Sequence, residues 1–328
     1  SIFNSVRSGV YLRIFPFCQE NKRDRIEVSL KQLVILSGKG GTGKTSLAAA
    51  FAHLAYSGQQ PIKVVLADAD VDAANLELVL RPVHMESHEF IGGSVAKIEP
   101  GLCQDCGVCE QVCRFDAILV GRGCYTVDPI ACDGCAACVY QCPEGALTMQ
   151  SQIVGQWYRS ESLYGPLFHA DLRPAQENSG KLVTLVKQNA RLLALDASYP
   201  LIIVDGPPGI GCPVISAIAG ADMLLVVTEP TSAGIHDMER VIQLAQHFRL
   251  PTVVCINKVD IYPAGSDQIK KYCAQNRVEV IGNIPYDEAV TLAMIQGKPV
   301  TSYQSMAPAS RAIKHLWAKI LTEMLVEE

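Results

Sequence analysis

Two hydrophobic rhythms alternate along this chain. Short unbroken apolar runs recur at Leu33-Val34-Ile35-Leu36, Ile62 to Ala67, Leu201-Ile202-Ile203-Val204, Met223 to Thr228, Thr252 to Ile256 and Val278 to Ile281. Runs of this length bounded by polar turns predict buried strands. Between them lie segments with helical spacing: Leu47 to Ala55, Leu182 to Leu195, and a last helix carrying Ile313, Leu316, Trp317, Ile320, Leu321 and Met324. The last of these lacks a strongly basic face and ends in Glu327-Glu328, so its apolar stripe is expected to pack on the core rather than on a membrane. Strands alternating with helices predict an α/β domain built on a parallel sheet.

The rhythm fails in three places. Residues 1–30 carry an alternating run, Val10 to Phe15, interrupted by Pro16, then a charged connector, Lys22 to Arg25, and a spare thiol, Cys18; this extension receives no function. Residues 95–150 lose the strand–helix alternation and read as an insertion. Residues 151–181 are punctuated by Gly155, Gly165, Pro166 and Pro174 and hold Trp157, Tyr158, Tyr164 and Phe168. They are expected to form a linker or lid, with His169 structural rather than a ligand. The expected organisation is therefore an extension (1–30), a main domain (31–94 and 182–328), an insertion (95–150) and a linker (151–181).

The first apolar run leads into Ser37-Gly38-Lys39-Gly40-Gly41-Thr42-Gly43-Lys44-Thr45-Ser46, and a helix follows. Gly38 to Thr45 fits G-x-x-x-x-G-K-[ST] in the strand–loop–helix setting that a phosphate-binding loop requires. Glycines let backbone N–H groups converge on phosphate oxygens, and the helix N-terminus adds positive dipole. Lys44 is expected on the β/γ-phosphates and the Thr45 hydroxyl on Mg²⁺. Acidic residues follow the second run, as Asp68, Asp70 and Asp72, and Asp205 ends the third. Carboxylates at the C-terminal ends of parallel strands lie on the ligand-binding edge, although a helix-capping turn explains one such Asp equally well.

The insertion carries most of the thirteen cysteines. The first group is Cys103-x2-Cys106-x2-Cys109-x3-Cys113 and the second Cys132-x2-Cys135-x2-Cys138-x3-Cys142-Pro143. This is the spacing of a bacterial two-cluster ferredoxin, in which the fourth cysteine of each group ligates the other cluster. One [4Fe–4S] cluster is thus expected on Cys103, Cys106, Cys109 and Cys142, and a second on Cys132, Cys135, Cys138 and Cys113. Zinc is the rival metal, but its sites usually space two C-x2-C pairs further apart. Arg114 stands where proline would normally follow the fourth cysteine. Apolar segments after each group, Ala117 to Val120 and Ala146 to Met149, extend the internal repeat.

Bulk composition adds boundaries. A hydrophobic content of 49% supports a sizeable core, and a net charge of −5 without a long basic run disfavours nucleic acid as a partner. No apolar stretch reaches membrane-spanning length and no signal peptide is expected. Metal ligation in a reducing cytoplasm accounts for the cysteines better than a secreted disulfide scaffold.

The second loop lysine, Lys39 in K-G-G-T-G-K-T, resembles the deviant Walker A motif of the MinD/ParA/Mrp/nitrogenase-iron-protein class of P-loop ATPases. The likeness covers nearly all of the non-inserted chain after residue 30. It implies a doubly wound, mostly parallel P-loop sheet with an inserted ferredoxin-like α+β module. It also implies ATP hydrolysis by a nucleotide-sandwiched homodimer, with Lys39 crossing to the partner's phosphates. By the same likeness Asp70 orients the hydrolytic water, Asp68 supports the Mg²⁺ shell, Asp205 holds a Mg²⁺-bound water and Gly209 senses the γ-phosphate. Asn257, Pro285 and Tyr286 contact adenine.

Cys212 follows Asp205 at a spacing similar to that of a cluster ligand in the nitrogenase iron protein. It is a subunit-bridging ligand or redox thiol, or a plain buried cysteine. The cycle is expected to serve electron transfer to a redox protein. The alternative is cluster delivery to an apo-metalloprotein, as in Mrp, and a MinD-like positioning switch is a weaker third reading.

Overall fold

Side chains alternate faces along a strand, so an unbroken apolar run needs cover on both sides. The computed structural model describes residues 29–121, 124–173 and 178–325 and supplies that cover. The run at Val10 to Phe15, the connector at 22–25, Cys18, Pro174 and Glu327-Glu328 lie outside the described residues.

Eleven strands are described: β1 (Lys31–Ser37), β2 (Val64–Asp68), β3 (Val83–Ile98), β4 (Ile118–Val120), β5 (Tyr125–Val127), β6 (Leu147–Ser162), β7 (Gly165–Leu172), β8 (Leu201–Pro208), β9 (Met223–Thr228), β10 (Thr252–Asn257) and β11 (Glu279–Ile284). The helices are α1 (Lys44–Ser57), α2 (Leu76–Leu80), α3 (Val108–Val112), α4 (Ala137–Gln141), α5 (Ser179–Asp196), α6 (Cys212–Ile218), α7 (Ser232–His247), α8 (Pro263–Gln275), α9 (Glu288–Ile295), α10 (Val300–Tyr303) and α11 (Pro308–Leu325). Nine strands form one sheet in the order β11-β10-β9-β1-β8-β2-β7-β6-β3, and β4 pairs with β5. The sheet is parallel from β11 to β7; β6 runs antiparallel to both β7 and β3.

The alternation sorts the core into two layers. Leu33 and Ile35 of β1 and Leu201 and Ile203 of β8 pack beneath α1, α2, α9, α10 and α11. Val34, Leu36, Ile202 and Val204 pack beneath α5, α6, α7 and α8. Helix α11 belongs to the first layer, where Trp317 stacks on Phe51 with ring centroids 5.0 Å apart.

Two domain boundaries differ from expectation. The departure from strand–helix alternation begins at Val83, not near residue 95, because β3 and β6 are sixteen-residue partners. Residues 151–172 are not a linker or lid; they complete β6 and form β7, and α5 already starts at Ser179. These strands were hidden because their polar faces interrupt every apolar run: most of β3 is exposed, and β6 lies at least half in contact with solvent. Glycines that mark loops elsewhere sit here within strands for close packing. A Cβ on Gly92 would lie 2.1 Å from Val154 Cγ2, and one on Gly155 would lie 2.6 Å from the Asp171 carbonyl.

The register says where the ribbon goes. Residues 155–162 of β6 pair with β7 and hold the ribbon to the sheet. Beyond Gly155, β6 pairs only with β3, from Ile91↔Ile153 to Ile98↔Leu147. This free half leaves the sheet past Leu172, the C-terminal end of a strand parallel to β2. It therefore projects from the edge that carries the loops after β1, β2 and β8. At its tip sits a small lobe with its own core of Ala96, Ile98, Cys109, Ile118, Cys138 and Leu147.

Candidate functional site

The loop after β1 is shaped by backbone conformations that favour glycine. Gly41 and Gly43 have φ of +79° and +96°, and Gly43 leads directly into α1. A Cβ at Gly40 or Gly41 would meet nothing within 4 Å, which leaves an open cradle of backbone N–H groups. Asn257 braces the loop from β10: its amide donates to the Thr42 carbonyl at 2.8 Å. Gly209, at the turn after β8, donates its N–H to the Ser37 carbonyl at 3.0 Å.

Lys44 lies 6% exposed and donates to Ser37 Oγ at 2.9 Å. Burial pulls its pKa down, opposed by the negative charge of Asp205, Asp70 and Asp68. Lys39 stands at the exposed rim of the same loop.

The carboxylates divide their work in a way the chain alone leaves open. Asp68 is spent on backbone donors: Oδ1 accepts from Asp70 N at 3.1 Å, and Oδ2 accepts from Asn75 N and Leu76 N at 3.0 and 2.9 Å. It organises the turn into α2, the capping role weighed for one of the three acidic residues. Its register partner Asp205 is different. Asp205 is 1% exposed and neither of its oxygens makes a well-formed hydrogen bond. Burial pushes its pKa up to about 6 against the pull of the Thr45 hydroxyl and Lys44. Asp70 is also raised to about 6, by burial first, with Lys44 opposing and Asp72 adding to the rise. An orphaned buried carboxylate beside the Thr45 hydroxyl has the oxygen chemistry of a Mg²⁺ site, so the residues fit that ion.

Asn257 and Ile284 are register partners at the ends of β10 and β11, which brings Pro285 and Tyr286 to the same edge as the loop. Tyr286 is 52% exposed, and its N–H donates to Asp260 Oδ1 at 2.7 Å. Cys212 opens α6 and is exposed, which removes the buried alternative for it. Cys255 and Cys273 are buried, and burial pushes their thiols up to about 12 and about 11.

The lobe gathers the two cysteine groups around two cavities. One is lined by Cys103, Cys106, Cys109 and Cys142, the other by Cys132, Cys135, Cys138 and Cys113. Each cavity thus takes three cysteines from one group and its fourth from the other. The backbone repeats at an offset of 29 residues: the left-handed positions Asp105, Gly107 and Asp116 recur as Gly134, Ala136 and Gly145. The short helices α3 and α4 obey the same offset. Arg114 in place of proline changes nothing in the residue before it; Cys113 has φ −75° and ψ 118°, and Cys142 has φ −72° and ψ 116°. Four thiols about one cavity are the donor set of an iron–sulfur cluster, so the residues fit that group.

A parallel sheet, a glycine loop at its C-terminal edge and facing carboxylates define a P-loop nucleotide-binding protein. The description of the CobQ/CobB/MinD/ParA nucleotide binding domain matches residues 33–300, and the chain belongs to that family. It is 31% identical over 292 residues to an uncharacterised protein of Methanocaldococcus jannaschii, covering 89% of this chain and 96% of that protein. An iron-sulfur cluster carrier protein of Pyrococcus horikoshii is 25% identical over 141 residues, 39% of this chain and 47% of the carrier. The solved septum site-determining protein MinD of Pyrococcus horikoshii, complexed with Mg-ADP, superposes with a TM-score of 0.51 at 18% identity, covering 89% of this chain and 96% of that one. Among the described residues no helix is long and apolar enough to cross a membrane.

Proposed function

We propose that this chain is a Mg²⁺-dependent ATPase that works as a nucleotide-bridged homodimer and couples its cycle to electron transfer through two [4Fe–4S] clusters in the lobe. The carrying observation is the crossed set of four cysteines about each lobe cavity, on a ribbon that leaves the sheet at the nucleotide edge. Bound clusters supply one-electron chemistry.

The chain's own residues supply the rest. The loop amides and Lys44 bind the phosphates; Thr45 and the unpartnered Asp205 hold the ion. Asp70, held at the rim of the site, orients the attacking water. Asn257, Pro285 and Tyr286 border the base. Lys39 of one subunit reaches the nucleotide of the other, where a fixed positive charge offsets the charge developing on the transferred phosphoryl group. Closure of the dimer around nucleotide presents both lobes, which project from the same edge, to a redox protein.

A cluster-delivery role is the second reading. It is supported by the exposed Cys212 just after the β8 turn and by the partial likeness to the Pyrococcus horikoshii carrier. Anaerobic purification followed by iron, sulfide and EPR measurement, with and without Mg-ATP, separates the two. About eight irons per chain with reducible signals that shift on Mg-ATP are expected. Extra iron that leaves on ATP addition, and is missing from Cys212→Ser, selects delivery instead. Zinc in the cysteine cavities refutes both readings of the lobe. In Lys44→Ala, turnover is lost while iron content is kept; unchanged hydrolysis there refutes the ATPase assignment.

A further inference from the structure

At the base of the ribbon, beside the acidic turn after β2, three potential ligands converge from three elements. Glu77 comes from α2, His84 from β3 and His169 from β7. Glu77 Oε2 lies 3.4 Å from His169 Nδ1 and 3.8 Å from His84 Nε2, and the three ligand atoms all lie within 4.8 Å of one another. Two ligands each about 2.1 Å from a tetrahedral ion stand about 3.4 Å apart. The donors are therefore already near the spacing that zinc requires.

The other ring nitrogens face a single group. Ser160 Oγ, fully buried, lies 3.0 Å from His169 Nε2 and 3.3 Å from His84 Nδ1. A hydroxyl oxygen has two acceptor lone pairs and can take an N–H from each imidazole. With the imidazoles in that tautomer, both rings turn lone pairs toward the Glu77 carboxylate, and a bound cation would satisfy all three groups at once. His169 is 1% exposed, and its Nδ1 has no hydrogen-bond partner. Asp171 adds negative charge beside Glu77. His84 is 56% exposed and leaves one side of the triad open to water as a fourth ligand.

We propose that Glu77, His84 and His169 form a binding site for one divalent transition-metal ion of the zinc class, with Ser160 as a positioning residue that orients both imidazoles. The ion would clip the ribbon to α2. Glu77 directly follows Leu76, whose N–H is held by Asp68, so the clip joins the ribbon to the acidic turn of the nucleotide site.

The test uses the full chain, purified anaerobically, washed with chelator and dialysed against micromolar Zn²⁺. Metal content and zinc-edge X-ray absorption are then recorded. One zinc per chain with only nitrogen and oxygen neighbours, at about 2.0–2.1 Å, is expected. His84→Ala and Glu77→Gln should each weaken zinc binding by more than about 100-fold, and Ser160→Ala by about 10- to 100-fold. His84 is largely exposed, so its variant should keep full iron content, which reports an intact fold. No retained zinc, sulfur neighbours alone, or equal binding by wild type and His84→Ala overturns the proposal.

Discussion

Asp205→Asn separates the cost of the ion site from its use. The carboxylate is buried, faces Asp68 across neighbouring strands and has no well-formed hydrogen bond of its own. Its pKa rises from 3.8 to about 6 on folding. A raised carboxylate pKa means that the folded state binds more protons than the unfolded one between those values, so stability falls as pH rises through that window. Above the folded pKa the buried charge costs the nucleotide-free protein on the order of 3 kcal/mol, and less at pH 5.5, where the folded carboxyl is largely protonated. Asparagine keeps the shape and removes the charge. Without nucleotide or Mg²⁺, the variant should melt higher than wild type at pH 7.5, with a smaller gain at pH 5.5. Mg-ADP should then raise the melting temperature of wild type and leave the variant nearly unmoved. Scanning fluorimetry of the four combinations reads this directly. A variant that melts lower than wild type at pH 7.5 without ligand, or that gains as much from Mg-ADP, refutes the reasoning.

Lys39→Ala should leave mononucleotide binding near wild type but weaken ATP-dependent dimerisation, read by light scattering after size exclusion; equal dimer fractions refute a role across the interface. Gly43→Ala forces φ +96° on a residue with a Cβ and sets that Cβ 2.6 Å from Asn257 Nδ2. Backbone strain of about 1–2 kcal/mol and the lost Asn257–Thr42 hydrogen bond should lower Mg-ADP affinity at least about 10-fold by calorimetry. Cys113→Ser should lose about half of the iron and the same EPR signal that Cys135→Ser loses, while Cys142→Ser should share its loss with Cys106→Ser; pairing by sequence group instead would overturn the crossed ligand sets.

The loop of the candidate nucleotide site was legible from the chain because its parts are local. The loop from Gly38 to Thr45 lies between a strand and a helix that declare themselves by periodicity, and the cysteine spacings encode the reach of neighbouring thiols. The buried strands were equally plain, since cover on both faces demands unbroken apolar runs.

What needed the folded chain was whatever depends on distant partners. Asp68 and Asp205 look alike in sequence, yet one is consumed by three backbone N–H groups and the other by none. The ribbon of β3 and β6 escaped the hydrophobic pattern because a mostly exposed strand needs no apolar run; fourteen cross-strand pairs hold it instead. Glu77, His84, Ser160 and His169 show no common spacing, and only the register of β3, β6 and β7 against α2 brings them together. Local chemistry follows from the order of residues, whereas the meeting of remote polar groups follows from strand register, which is set by the packing of the whole sheet.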